Sequence, residues 1–536
     1  MWLVTAWLGE SPLLAFVLCS AVGAISYLVY ILHLEPRRRY GGAMAQFPGP
    51  KPHPVLGHNL LEMQGAGEEG RILEKIQEWR DKYGPVFRVW YESTTPTLFL
   101  TDPELVKNLL NGQTDGYDKE FKPFLGNSIL LSYGDVWRRK RRLMSPAFYS
   151  KNLHALYPIF ASAAERLTSL DVIGLSAFGF GFNPEGDSES DDVVEAFEYV
   201  LSAIEQRSYD FVSLPNWVYC HCTAAGRKFT ANIQKLRTLV YGIIDKRRKQ
   251  MAQRGAGMRR QPSGLRVDGL PTDVGADQPE EPREKDLLDL LLEAKDDEGD
   301  GEGFSNQQIM EEVMTIMVHT VATLVSVDAG LALTVFAGHE TTSIALSWTL
   351  YLLAQHAQVE DKLVQELVQV MSERTVPAAD ELPKLQYLDM VLSEVDLASG
   401  PQCAAMRLYP PQPGFVRRAL QDNHIGQYFI PQGTEVTVVP YLIHRDPSLW
   451  PEPQRFDPER FTKENSKARH AFAYLPFSGG LRSCVGRNFA MMEARVLLAA
   501  IVRHFEVRLV EGARVVAVPA VTLRPHGMQV AITNRA

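Results

Sequence analysis

The stretch that decides the fold is Pro476-Phe477-Ser478-Gly479-Gly480-Leu481-Arg482-Ser483-Cys484-Val485-Gly486-Arg487-Asn488-Phe489-Ala490. Within it Phe477, Gly480, Arg482, Cys484 and Gly486 stand in the order F-x-x-G-x-R-x-C-x-G. A cysteine that serves as a metal ligand does so as a thiolate, and backbone N–H groups aimed at the sulfur steady that charge. Glycines permit the tight turn that supplies those groups. The run that follows, FAMMEARVLLAAIVRHF, has helical periodicity and turns the positive end of its dipole towards the sulfur. Arg482, two residues ahead of the cysteine, is placed to pair with an anionic group. A lone cysteine in an apolar helix is usually inert core. Five matched positions around one cysteine are not explained that way.

Three further segments carry chemistry. Ala337-Gly338-His339-Glu340-Thr341-Thr342 combines a small pair, with room for a small ligand, and an acid–alcohol pair able to relay protons. The bland alternative is a helical threonine bonding back to its own carbonyls. In Trp137-Arg138-Arg139-Lys140-Arg141, Trp137 and Arg141 are four apart and share a helix face. Arg138, Arg139, Lys140 and Arg142 form either a basic docking patch or a solvated face, and the two readings are evenly balanced. Phe456-Asp457-Pro458-Glu459-Arg460-Phe461 follows His444-Arg445-Asp446-Pro447, and PGFVRRAL carries Arg418 with Arg417 beside it.

Together these segments resemble the cytochrome P-450 superfamily of haem-thiolate monooxygenases, over nearly the whole chain beyond its N-terminal segment. The pattern is most similar to membrane-bound fatty-acid ω-hydroxylase and sterol-hydroxylase relatives. The resemblance implies a mainly α fold with a small β-rich lobe, behind an N-terminal transmembrane anchor. It implies haem b with Cys484 as the axial ligand of the iron, a thiolate that donates electron density and favours O–O cleavage. Ala337 and Gly338 would leave room for O2, with Glu340 and Thr341 as the catalytic proton relay. Trp137, Arg141, Arg418 and Arg482 would face the haem propionates, while Phe477, Gly480 and Gly486 shape the ligand loop. Glu394 and Arg407 would form the structural Glu-x-x-Arg pair, locked by Arg460. Some ω-hydroxylases carry Glu where Ala337 stands and bond it to the haem, an attachment not expected here. Electrons would come from NADPH through a flavoprotein reductase, with cytochrome b5 as a further donor, and the substrate would be a fatty acid, sterol or similar lipophile. A haem isomerase or dehydratase acting on peroxides is the rival within the family, and Glu340-Thr341 argues against it.

The bulk properties agree. A chain of 536 residues that is 45% hydrophobic can bury a large core, and a net charge of -9 argues against a nucleic-acid binder. Five cysteines are too few and scattered for a disulfide framework. Cys220 and Cys222 flank His221, but the spacing is not that of a zinc module and a structural role is favoured. Residues 11–32 carry no charge and would span about 33 Å as a helix, enough for a bilayer's hydrocarbon. Arg37-Arg38-Arg39 follows, which places that flank in the cytosol. Residues 1–34 are therefore expected to be a signal anchor in the endoplasmic reticulum membrane, crossing it once. Residues 35–58, with prolines at 48, 50, 52 and 54, form a stiff tether. Residues 59–536 form the cytosolic catalytic domain, with a mobile loop over about 254–286. LLEMQGAGEEGRILEKIQEWRDKYG and SWTLYLLAQHAQVEDKLVQELVQVM read as helical, and PVFRVWY, TLFLTD and GTEVTVVPYLI as strand-like.

Two inserts depart from the family. Residues 396–405 separate Glu394 from Arg407; ten residues advance a helix by about 1000°, out of phase, and Gly400-Pro401 breaks it. The pair re-forms only if the insert loops out. Residues 318–335 interrupt the helix that carries Thr341; eighteen residues keep the face but add about 27 Å. The chain also looks short before DVIG, at 171–174. These irregularities raise the alternative of a splice or gene-model variant with impaired catalysis.

Overall fold

The computed structural model describes residues 20, 23, 27, 35–52, 71–90, 96–111, 127–155, 157–166, 196, 199–200, 203, 216–258, 287–295, 303–317, 339–392, 394–396, 400–402, 404–467, 469–519 and 522–535. The fold is mainly helical with a small β-rich lobe. Within the span expected as one catalytic domain, the chain gathers into two compact units.

The first unit comprises Met1–Tyr117, Gly414–Pro453 and His470–Arg482. Its centre is a four-stranded sheet of β1 (Val86–Val89), β2 (Thr97–Leu100), β3 (Phe415–Arg418) and β4 (Glu435–Val438), in the order β1-β2-β4-β3. β1 and β2 are antiparallel, with Val86 opposite Leu100, and β2 runs parallel to β4, with Thr97 opposite Glu435. Alternation of side chains sends Leu98, Leu100, Val436 and Val438 to one face, where Tyr40, Met44, Phe47 and Leu109 cover them. Phe87, Val89 and Phe99 go to the other face, against Ile76 and Trp79 of helix α1 (Ile72–Tyr83). Helix α2 (Pro103–Asn111) buries Val106, Leu109 and Leu110. With both faces covered, β2 is buried along its whole length.

The second unit comprises Asp118–Pro413, Gln454–Arg469 and Ser483–Ala536. Its helices include α3 (Gly134–Met144), α4 (Ala224–Met258), α5 (Asn306–Met317), α6 (His339–Gln355), α7 (Ala357–Met371), α8 (Gln386–Leu392), α9 (Ala404–Leu408) and α10 (Arg487–His504). Eleven side chains of α10 are buried, which makes it the enclosed centre of the unit. Phe489 meets Phe160 edge-on at 5.0 Å, and Arg495 grips Asp389 of α8 at 2.5 and 2.9 Å. The indole N–H of Trp348 on α6 donates to the Leu523 carbonyl at 2.7 Å, and its ring stacks on Tyr409. Glu366 of α7 accepts the N–H groups of Tyr387 and Leu388, so it caps the orphan amides that start α8.

Several expectations are adjusted. GTEVTVVPYLI is a strand only to Val438; Pro440 opens a helical turn, Pro440–Ile443, because its fixed φ suits a first helical position. SWTLYLLAQHAQVEDKLVQELVQVM is two helices that break at His356. Where a loop is expected from residue 254, α4 continues to Met258; residues 259–286 lie outside the described residues. Strand Glu394–Asp396 pairs antiparallel with Gly400–Gln402, Glu394 opposite Gln402, and α9 resumes against α8. The insert at 318–335 lies outside the described residues, between the end of α5 and the start of α6. Among the described residues no helix is long and apolar enough to cross a membrane, and of residues 11–32 only 20, 23 and 27 are described.

Candidate active site

Gly486 caps α10, and the turn it closes brings two backbone N–H groups, those of Gly486 and Arg487, onto the Cys484 sulfur. The spacing C-x-G followed by a helix has this result because the first turn of a helix has no acceptors of its own for its amides. Burial pushes the Cys484 thiol above its ordinary value; the two N–H groups and the guanidiniums of Arg141 and Arg487 oppose that push. Yet Cys484 keeps solvent-accessible surface.

On α3, Trp137 is buried and Arg141 lies one turn on, on the same side, as their spacing predicts. Arg141 Nη1 donates to the carbonyl of Ser483 at 2.9 Å, which brings the guanidinium beside Cys484. Lys140 lies elsewhere than a docking patch requires. It is 2% exposed, with its ammonium 2.7 Å from Glu312 and 3.6 Å from Glu311 of α5. Arg139 is half-buried and donates to the Gly303 carbonyl. Of the four cations weighed for that patch only Arg138, beside Asp135, and Arg142 are exposed.

Phe477, Gly480 and Arg482 belong to the first unit, where Gly480–Arg482 forms a 3-10 turn. Gly480 has φ of +65°, and a Cβ there would lie 2.4 Å from the Leu110 carbonyl oxygen, so no other residue fits without movement. His444 supports the approach to this turn by accepting the Leu475 N–H at 2.8 Å. The two arginines of β3 separate clearly. Arg418 pairs with Glu435 at 2.7 Å, whereas Arg417 is 2% exposed and reaches the hydroxyl of Ser478 at 3.4 Å. Of the pair, Arg417 is the one facing the turn that carries Ser478; strand alternation would predict opposite faces but gives no sign of which is which.

Thr341 is half-buried and Thr342 buried in the first turn of α6. Ala337, Gly338 and the Glu340 side chain lie outside the described residues. Arg407 is buried and donates to the Arg455 carbonyl at 2.8 Å, and Arg460 follows in the 3-10 turn Pro458–Phe461; the Glu394 side chain lies outside the described residues. Glu493 escaped the motif analysis. It is fully buried on α10, its carboxyl pushed well above the usual range by that burial, with the Thr342 hydroxyl opposing. An acid inside the apolar run AMMEARVLLAA was the available signal.

The family model described as "Cytochrome P450" matches residues 47–170 and 166–530. The chain belongs to the cytochrome P450 family. The two matched stretches meet where the chain looks short. Human cytochrome P450 4V2 is 30% identical over 84% of this chain and 82% of its own. Cytochrome P450 4c3 of Drosophila melanogaster is 28% identical over 98% and 95%. Human cytochrome P450 4F8 is 29% identical over 94% and 93%. The crystal structure of the cytochrome P450DA heme domain superposes with a TM-score of 0.69 at 24% identity, covering 91% of this chain and 98% of that one, which shows the shared fold. As a cytochrome P450 this chain is an oxidoreductase of the monooxygenase class that uses haem iron and O2.

Proposed function

We propose that this cytochrome P450 inserts one oxygen atom from O2 into a long lipophilic substrate, a fatty acid, sterol or similar molecule, with NADPH-derived electrons delivered by a flavoprotein reductase. The observation that carries the reading is Cys484: a sulfur with two backbone N–H donors and two guanidiniums around it, which keeps accessible surface. These residues fit a haem. Cys484 would ligate the iron; Trp137, Arg141, Arg482 and, from its burial, Arg417 in place of Arg418 would hold the propionates. When bound, the haem supplies O2 binding and O–O cleavage, which the thiolate donor favours. The amides of Gly486 and Arg487 hold charge on the sulfur without carrying a proton to it. Glu340 and Thr341 would pass protons from solvent towards the oxygen-binding side. Residues 1–34 would anchor the chain in the endoplasmic reticulum membrane, so a lipophilic substrate need not cross water to reach it. The looped-out hairpin at 396–405 supports a working enzyme over an impaired variant, because it leaves α8 and α9 packed together.

A reduced carbon-monoxide difference spectrum of the full chain tests this. The wild type should give the thiolate-type band, and Cys484→Ser should lose both band and turnover, because a neutral hydroxyl is no thiolate donor. A thiolate-type band that persists in Cys484→Ser defeats the assignment.

A further inference from the structure

Lys140, weighed above for a docking patch, and Glu312, which no motif includes, form a buried ion pair of the second unit, 2% and 0% exposed. Glu312 does more than neutralise the ammonium. Its two carboxylate oxygens also accept the N–H of Ile129, at 3.0 and 2.9 Å, so the segment that leads into α3 hangs from the same group. Glu311 adds a second carboxylate at 3.6 Å from the ammonium.

Two charges taken out of water are a costly way to hold helices together, and apolar replacements of like volume often do as well. What an ion pair supplies and apolar packing lacks is direction. Successive residues of a helix point about 100° apart. Lys140 therefore faces α5 while Arg141 faces the Ser483 carbonyl beside Cys484. The apolar contacts of Trp137, Leu143 and Met144 bury α3 but resist its rotation weakly, since burial is non-directional. We propose that the Lys140–Glu312 pair is a positioning device that sets the rotation of α3, so that Arg141 meets the carbonyl of Ser483 and stays beside the Cys484 sulfur. The inference rests on Cys484 being the haem ligand. Neither residue touches the reacting atoms; both act through Arg141.

The test uses the full chain with Lys140→Arg, Lys140→Met, and Lys140→Met combined with Glu312→Leu. Three quantities are read: melting temperature, the thiolate-type share of the reduced carbon-monoxide spectrum, and, in haem-free protein, hydrogen exchange at Ile129 and along α3. Lys140→Arg keeps the cation and should keep all three. Lys140→Met strands a buried carboxylate and should lower the melting temperature and at least halve the thiolate share. The double variant removes both charges, so its melting temperature should recover while the thiolate share stays low and exchange at Ile129 runs about tenfold faster. The proposal is overturned if thiolate share and melting temperature recover together, or if Lys140→Met changes neither. Should the wild type show no thiolate-type band, the haem-thiolate reading fails instead, and the exchange arm still decides whether the pair orients α3.

Discussion

At Cys484 two demands collide. A sulfur deep in protein holds its proton more tightly than one in water, while a metal ligand must give that proton up. The amides of Gly486 and Arg487, with Arg141 and Arg487, narrow the gap without closing it; the iron proposed to bind there would supply the rest. Asp389 shows the same contest with a measurable outcome. Burial pushes its carboxyl up to about 6, against the pull of Arg495. The native state then binds this proton more tightly than the unfolded chain, whose carboxyl titrates near 4. Stability from this group is therefore full below about pH 4 and falls away as pH rises through 6. Asp389→Asn cannot titrate. The melting temperature of wild type minus that of Asp389→Asn should decline between pH 4 and 6, by the equivalent of at most about 2–3 kcal/mol, and then level off. A difference that is flat or rises over that range contradicts the assignment.

Among the elements, the hairpin of Glu394–Asp396 and Gly400–Gln402 is the informative case. Three-residue strands closed on themselves are marginal alone, and holding the ends of an extra loop together costs entropy. Deleting 396–405 should leave Glu394, Val395, Met406 and Arg407 as one helical turn between α8 and α9. We expect the deletion to raise the melting temperature, gaining on the order of 1 kcal/mol of closure entropy, with haem retention equal or higher. Scanning calorimetry and the haem-to-protein absorbance ratio check it; lower values of both would mark the hairpin as a supporting element. The need for the insert to loop out was legible in the sequence, because ten residues are out of helical phase and Gly400-Pro401 ends a helix. That it pairs as a hairpin was not, since GPQ has little strand character. Cys484, Gly486, Trp137 and Arg141 were legible because each sits at a fixed offset within one element. Lys140–Glu312 and Trp348–Leu523 were not, for their partners lie 172 and 175 residues apart and no local period connects them.

For the whole molecule, the proposed anchor raises the question of a second contact with lipid. The first unit exposes Val416, Leu420 and Phe429, three large apolar side chains within fourteen positions of chain. Single exposed apolar residues are ordinary, but if residues 1–34 anchor the chain as proposed, such a group favours a second point of contact with lipid. A chain without residues 1–34 should therefore remain partly with vesicles in a sedimentation assay at low salt. Its complete recovery in the supernatant would count against that contact.

The parallel pairing of β2 with β4 has a temporal side. Thr97 is made early, and its partner Glu435 leaves the ribosome more than three hundred residues later. At translation rates of about 5–20 residues per second, that separation is a wait of tens of seconds. Throughout it, one edge of β2, an entirely apolar strand apart from Thr97, offers unpaired backbone groups to any other strand in reach. The small sheet, first to be started, is among the last parts of the nascent chain to be completed, and a holding chaperone would have its longest task there.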